Sequence, residues 1–155
     1  MSKFTVAIAL GSNLGDRAAH LDFAARRLSS ILSSIKVSRW YETEPVGVGA
    51  QPMFLNGAAV GETTVTAREL LDELLRIERE RGRERPLPNA ARTLDLDLIL
   101  FGDRVIDEPD LTVPHPRFRQ RTFVLVPLAA IAPEMRDPVT GRTVQELMTL
   151  QAETG

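Results

Sequence analysis

The chain has 155 residues, 43% of them hydrophobic and 26% charged, which suits a soluble globular protein able to bury a core without staples. No apolar run approaches the ~20 residues of a membrane helix. A formal charge of −2 gives no general pull toward nucleic acid, and the lack of cysteine removes disulfides, thiolate metal sites and a thiol nucleophile. The reading that follows is a single domain over 1–155, cytoplasmic, monomeric, with neither membrane nor nucleic acid as partner.

Phe4 to Leu10 reads as a first strand rather than a signal peptide, because seven apolar residues run straight into the turn signal Gly11-Ser12-Asn13-Leu14-Gly15. Asp16 is placed to N-cap a helix through Leu32 with Leu21, Ala24, Ala25 and Leu28 on its buried stripe. Ile35 to Tyr41 is a second strand, and Glu42 to Pro52, with two prolines, two glycines and two acids, a mobile loop. Phe54 to Val60 is a third strand whose Gly57, Ala58 and Ala59 permit close approach of a helix or ligand. Thr66 and Glu69 form a capping box for a helix with Leu70, Leu71, Leu74, Leu75 and Ile77 inward, ending near Arg81-Gly82. Arg83 to Ala91 reads as a second loop.

The stretch from Arg92 to Phe101 carries the chemistry. Strand geometry sends residues two apart to one face, so Asp95 and Asp97 lie side by side, ~7 Å apart, with Leu94, Leu96 and Leu98 on the other face. Leu98-Ile99-Leu100-Phe101 is apolar on both faces and implies a central, covered strand. Two carboxylates there would repel each other and lose solvation. Hard cations such as Mg²⁺ would compensate them, whereas the plainer reading is two acids on a wet strand face. After Gly102-Asp103, Arg104 to Asp107 is expected as a hairpin partner, and Leu111 to Pro116 is too proline-rich for a central strand. Phe123 to Ala132 reads as a helix despite Pro127, and Thr143 with Glu146 caps a last short helix. The order β-α-β-β-α-β predicts an α+β fold, a ferredoxin-like split βαβ sandwich whose mainly antiparallel sheet has helices on one face, with a C-terminal helical tail.

Of the 19 basic residues 17 are arginine, six of them between Arg76 and Arg92, with Arg117, Arg119 and Arg121 in a second group. The guanidinium fork matches phosphate oxygens, so two arginine groups around an acidic strand suggest a metal–phosphate substrate.

Three stretches together, Gly11 to Asp16, Arg92-Thr93-Leu94-Asp95-Leu96-Asp97, and Leu111 to Pro116 with Arg121 and Phe123, resemble the hydroxymethyldihydropterin pyrophosphokinase family of folate biosynthesis. The resemblance runs from about Val6 to Pro133. It implies Mg-dependent transfer of a pyrophosphoryl group from ATP to 6-hydroxymethyl-7,8-dihydropterin, releasing AMP, with two Mg²⁺ ions. Carried over by position, Asp95 and Asp97 resemble the metal ligands, with Asp95 also near the pterin. Arg92 and Arg121 resemble the phosphate-binding arginines. Glu78 stands where the family uses a helix acid for the ribose, and Arg83 and Arg85 match arginines of the second loop. His115, Thr112 and the Leu98 backbone fall near the nucleotide, although a histidine between prolines is also an ordinary loop residue. Phe54 and Phe123 resemble the aromatic pair that sandwiches the pterin, against a plainer role in the core, and Asn56 the side chain that reads its amide edge. Thr43, Pro45 and Val46 resemble the loop that closes over it. The chain departs from the family pattern at Asn89, Ala91 and Pro116, and Asp110 stands where some members carry a nucleotide-contacting arginine. Two other classes fit parts of the pattern: an RNA-binding ferredoxin-like module, and a silent regulatory domain that binds a small ligand.

Overall fold

The computed structural model describes residues 2–43, 53–82 and 93–154. The expected loops 42–52 and 83–91 lie outside the described residues except for Glu42 and Thr43, which belong to a strand rather than a loop because they pair with Leu55 and Phe54; Pro45, Val46, Arg83, Arg85 and Arg92 are among the residues outside. In chain order the elements are β1 (Phe4–Ser12), α1 (Arg17–Ile31), β2 (Ser33–Val37), β3 (Tyr41–Thr43), β4 (Phe54–Thr63), α2 (Ala67–Glu80), β5 (Asp95–Phe101), β6 (Ile106–Glu108), β7 (Leu111–Val113), α3 (Thr122–Ile131) and α4 (Val144–Thr154). The main sheet is antiparallel in the order β2-β4-β1-β5, with β3 also on β4. Strand β4 thus separates β1 from β2, which is the split βαβ arrangement. The α+β expectation holds, and the strand between Ile35 and Tyr41 resolves into two, β2 and β3.

All three helix starts predicted from capping chemistry are present. Asp16 accepts the Ala19 N–H, and Thr66 and Glu69 exchange the two bonds of a capping box. Thr143 and Glu146 do the same at α4. Leu21, Ala24 and Leu28 of α1 and Leu70, Leu74 and Ile77 of α2 are fully buried, whereas Ala25, Leu71 and Leu75 are half-buried at the edges of the stripes.

Three expectations about the strands are corrected. Helices cover both faces: α1 and α2 pack on Val6, Ile8 and Leu10, while α3 and α4 pack on Ala7, Ala9, Ala58 and Val60. The small side chains on that second face let α3 settle closely on β4 and β1, so the tail forms a third layer with its own core around Phe118, Leu125 and Leu128. The acidic strand β5 is at the sheet edge in the pairing order, and β1 is central. Its apolar run arises from cover on both faces rather than from strands on both sides. The expected hairpin partner pairs elsewhere: β6 joins β7 in a separate two-stranded sheet.

Candidate active site

Register builds the site. Gly11 of β1 stands opposite Asn56 on β4 and Asp95 on β5, and one step down Ala9 stands opposite Ala58 and Asp97. With neighbouring strands ~4.8 Å apart, an amide and a carboxylate therefore project from the same sheet face about 10 Å from each other across a bare glycine. A Cβ at Gly11 would lie 3.0 Å from Asn56 Oδ1, so any larger residue would displace the amide. Above this floor the described residues enclose a cavity of about 540 Å³, in the size range of small-molecule sites. Asn56, Thr43 and Phe54 form one end and Asp95 and Asp97 the other, and Arg117, Gln120, Arg121 and Phe123 complete the lining.

The amide end is fixed from two sides. Asn56 is 5% exposed and its Nδ2 donates to Thr43 Oγ1 at 2.5 Å. A hydroxyl and an amide joined in this way present a fixed donor and acceptor pattern, which is what recognition of a flat heterocycle requires. Next to Asn56, Gly57 leaves room for the Trp40 ring, which an added Cβ would meet at 2.4 Å. Arg17, first residue of α1, holds the two strand ends together: it donates to Glu42 Oε2 and to the Met53 carbonyl, both at 2.7 Å. Thr43 and Phe54, the neighbours of those two residues, face each other in register.

The acidic end faces cations. Asp95 and Asp97 stay partly exposed, while Leu94, Leu96 and Leu98 are buried against the opposite core, as the alternation predicted. Arg121 reaches over Phe123 with its guanidinium carbon 5.5 Å from the ring centroid. One turn of 3₁₀ helix, Phe118–Gln120, sets the spacing of Arg117 and Arg121. It is anchored by Arg119, which grips the fully buried Asp137 with two bonds, at 2.5 and 3.0 Å. Burial pushes the Asp137 carboxyl upward, but bonds from Arg119, Thr140 and the Val139 N–H outweigh it and hold it below the usual carboxylate range.

His115 N–H donates to the Ile99 carbonyl, and its Nδ1 accepts the Arg117 N–H at 3.2 Å. Burial, then the charges of Arg121 and Arg117, lower its pKa to about 4. The ring is therefore neutral at physiological pH, with its proton on Nε2, the tautomer that donates outward.

The cavity thus gathers Thr43, Phe54, Asn56, Asp95, Asp97, Arg121 and Phe123 from the residues singled out in the sequence. Glu78, Leu98, Thr112 and His115 are not among its walls. Thr112 is exposed on β7, Leu98 is buried, and Glu78 is 3% exposed with its carboxylate on the Leu96 N–H at 2.7 Å. Asp110 is taken up by Arg68 of α2 at 2.6 Å, together with Glu108. Sequence reasoning missed Gln120, which no pattern marked, and read Gly11 as a supporting turn, although its place opposite Asn56 and Asp95 makes it the floor. No group of three or more acids or histidines suited to a metal occurs among the described residues, so Asp95 and Asp97 would supply only part of any coordination shell. Among them, too, no helix is long and apolar enough to cross a membrane.

Comparison with known proteins agrees with this geometry. Residues 7–133 match the family model described as 7,8-dihydro-6-hydroxymethylpterin-pyrophosphokinase. The chain is 42% identical over 145 residues to the 2-amino-4-hydroxy-6-hydroxymethyldihydropteridine pyrophosphokinase of Pseudomonas aeruginosa, covering 92% of this chain and 89% of that one. To the protein of the same name from Bacillus subtilis it is 43% identical over 142 residues, covering 90% and 85%. The crystal structure of wild-type Plasmodium falciparum HPPK-DHPS superposes with a TM-score of 0.76 at 15% identity, covering 98% of this chain and 45% of that longer one, which shows the shared fold. The chain belongs to the 7,8-dihydro-6-hydroxymethylpterin-pyrophosphokinase family, whose reaction is pyrophosphoryl transfer to hydroxymethyldihydropterin in folate biosynthesis.

Proposed function

We propose that this chain, acting as one domain, carries out that transfer with ATP as donor and Mg²⁺ as the required metal, releasing AMP. The observation that carries the reading is the single cavity that joins an amide and two phenylalanines to two carboxylates and two arginines. A pterin needs ring faces to stack on and an edge to read, and Phe54, Phe123 and Asn56 offer both within one cleft. Polyphosphate needs metal and guanidinium, and both are provided for at the other end.

The donor set fits Mg²⁺. Carboxylate oxygens are the hard ligands the ion prefers, and it is held in phosphate-transfer sites by one or two carboxylates, the rest of its shell being phosphate and water. Asp95 and Asp97 would hold two ions, which when bound screen the phosphate charge and draw electron density from the phosphorus under attack. The protein's own part is positional. Asn56 and Thr43 orient the ring, the aromatic pair fixes its plane, and the hydroxymethyl oxygen is directed toward the acidic end. That oxygen forms a bond to the β-phosphorus while the bond from the β-phosphorus to the α,β-bridging oxygen breaks. The hydroxyl proton goes to solvent, and AMP departs with the bridging oxygen. Arg121 would stabilise the negative charge that shifts toward the leaving group, and Arg92, Arg83 and Arg85 are assigned the same kind of role toward phosphates and nucleotide. Neutral His115 donates from Nε2, and with Thr112 and the Leu98 backbone serves the nucleotide. Pro45 and Val46 are assigned with Thr43 to pterin binding. No protein nucleophile is needed, since positioning and charge stabilisation supply most of such a catalysis.

Incubation with ATP, Mg²⁺ and 6-hydroxymethyl-7,8-dihydropterin, followed by chromatography of the nucleotides, tests the reading. Stoichiometric AMP with a pterin carrying two phosphates is expected. Formation of ADP, turnover undiminished by metal chelation, or no pterin-dependent turnover in folded protein would refute it.

A further inference from the structure

Glu78 is an unusual residue to find in the core. It sits in the last turn of α2 beside Ile77, 3% exposed, where a carboxylate loses nearly all of its hydration. Its Oε2 accepts the N–H of Leu96 at 2.7 Å, within the range of charge-assisted bonds. Leu96 is the residue between Asp95 and Asp97.

The topology explains why that N–H needs a partner. Strand β5 has β1 on one side and, in the pairing order, no strand on the other. Residues along a strand turn their N–H groups alternately to the two sides, so if the Leu96 N–H leaves toward Glu78, those of Asp95 and Asp97 face the β1 ladder. The carboxylate of α2 thus does on the open edge what a further strand would do. A strand held along both edges has less freedom to twist, and the direction of the two aspartate side chains follows the twist at this peptide.

We propose that Glu78 is a positioning residue for the metal-binding pair: it fixes the backbone between Asp95 and Asp97, so that both carboxylates aim at the same ions. The proposal rests on the assignment of Mg²⁺ to these aspartates made above. It differs from a ribose contact in its consequences, because a residue that acts through Leu96 controls metal affinity and kcat, whereas a ribose ligand controls the KM for ATP and the discrimination against deoxy nucleotides.

Three variants separate these cases. Glu78→Gln keeps an acceptor for the Leu96 N–H, Glu78→Met fills the space without accepting, and Glu78→Asp keeps the charge but withdraws it by one methylene. Mn²⁺ binding in the presence of ATP is followed by electron paramagnetic resonance, the Leu96 amide by hydrogen exchange, and turnover with ATP and 2′-deoxy-ATP by AMP release. The Met and Asp variants should expose the Leu96 amide, weaken Mn²⁺ binding and lower kcat by about 10–100-fold, the usual loss when the support of a metal ligand is removed. At saturating metal the KM for ATP and its ratio to that of the deoxy nucleotide should stay unchanged, and the Gln variant should remain within about 3-fold of the parent in Mn²⁺ affinity and kcat. Should the Met variant fail to fold, the Asp variant carries the same expectation. Unchanged Leu96 exchange with a raised KM and lost deoxy discrimination would overturn the proposal, as would unaltered Mn²⁺ binding in both folded variants. Asp97→Asn serves as the reference: if it leaves Mn²⁺ binding untouched, the metal assignment itself fails, whatever Glu78 does.

Discussion

Removing the guanidinium from the Arg119–Asp137 pair should be the costliest single change among the surface-reaching arginines. Asp137 is fully buried and Arg119 about one quarter exposed, and the two are joined by two hydrogen bonds. In Arg119→Met the carboxylate keeps the Val139 N–H and the Thr140 hydroxyl but loses its counter-charge. Breaking a buried pair in this way costs about 3–5 kcal/mol, and the solvent edge of Arg119 places the expected loss near the lower figure, about 3 kcal/mol. For a domain of this size that corresponds to a fall in Tm of about 6–12 °C, measured by calorimetry. Asn at 137 still accepts the Val139 N–H through its amide oxygen, and its amide nitrogen donates to the Thr140 hydroxyl in place of the carboxylate oxygen that accepted from it, all without charge, so Arg119→Met/Asp137→Asn should recover part of the loss relative to Arg119→Met. The pH dependence has a definite sign. A carboxyl held below its unfolded value stabilises the fold above the ordinary aspartate range near pH 4, and that stabilisation is lost as the pH falls through the lower folded value. The parent should therefore resist acid better than Arg119→Met, in which the pKa of Asp137 rises. A Tm change under about 2 °C, or a double variant no more stable than Arg119→Met, would refute the reasoning.

Asp95→Asn and Asp97→Asn should each lower turnover by orders of magnitude with little change in Tm, because a near-isostere replaces a proposed metal ligand at a partly exposed position; near-normal rates for both at saturating Mg²⁺ would end the metal assignment. Arg121→Ala should reduce kcat more than ATP affinity, whereas Phe123→Ala should weaken pterin binding by about 10-fold, in line with the loss of one stacking face, as read by equilibrium titration. His115 should titrate near pH 4 in a nuclear magnetic resonance experiment on the free protein. Its folded pKa lies below the unfolded value of about 6.5, so it costs the fold nothing above that pH and destabilises it progressively as the pH falls toward 4; His115→Gln should flatten stability across that window.

What the sequence made legible was whatever depends on local chemistry. The three capping sites, the alternation of Leu94, Leu96 and Leu98 against Asp95 and Asp97, and the split βαβ order each follow from a few adjacent residues or from a period, and each is present in the structure. Edge or centre is a different kind of property. An apolar run reports cover on both faces, and for β5 that cover comes from helices and from β7 rather than from flanking strands, so the run was misread as a central position. The third layer was hidden for a similar reason. Ala7, Ala9 and Ala58 signal close approach but not what approaches, and only the folded chain brings α3 onto them. Gln120 and Arg117 owe their place in the cavity to a single 3₁₀ turn anchored by Asp137, 17 residues beyond Gln120 in the chain, a distance no periodicity spans.

The arrangement of charge across the cavity also bears on how substrates are sorted. Asn56, Thr43 and Phe54 form a neutral end and Asp95 and Asp97 an acidic one, while Arg117 and Arg121 bring positive charge to the same cavity. An uncharged pterin loses little by leaving the acidic end alone, but a bare polyphosphate placed there would meet two carboxylates before it met the arginines. Metal changes that balance, since ions on the aspartates convert a repulsive strand face into an attractive one. Nucleotide binding should therefore depend on Mg²⁺ much more steeply than pterin binding does, because Asn56, proposed to read the pterin edge, lies about 10 Å across the sheet from Asp95. Calorimetric titration of each ligand with and without Mg²⁺ measures this directly. ATP affinity should fall by at least about 10-fold on chelation while pterin affinity stays within about 3-fold, the size expected when the charge that offsets one ion's worth of attraction is removed from one end only. Equal sensitivity of both ligands would mean that the ions are not held at Asp95 and Asp97.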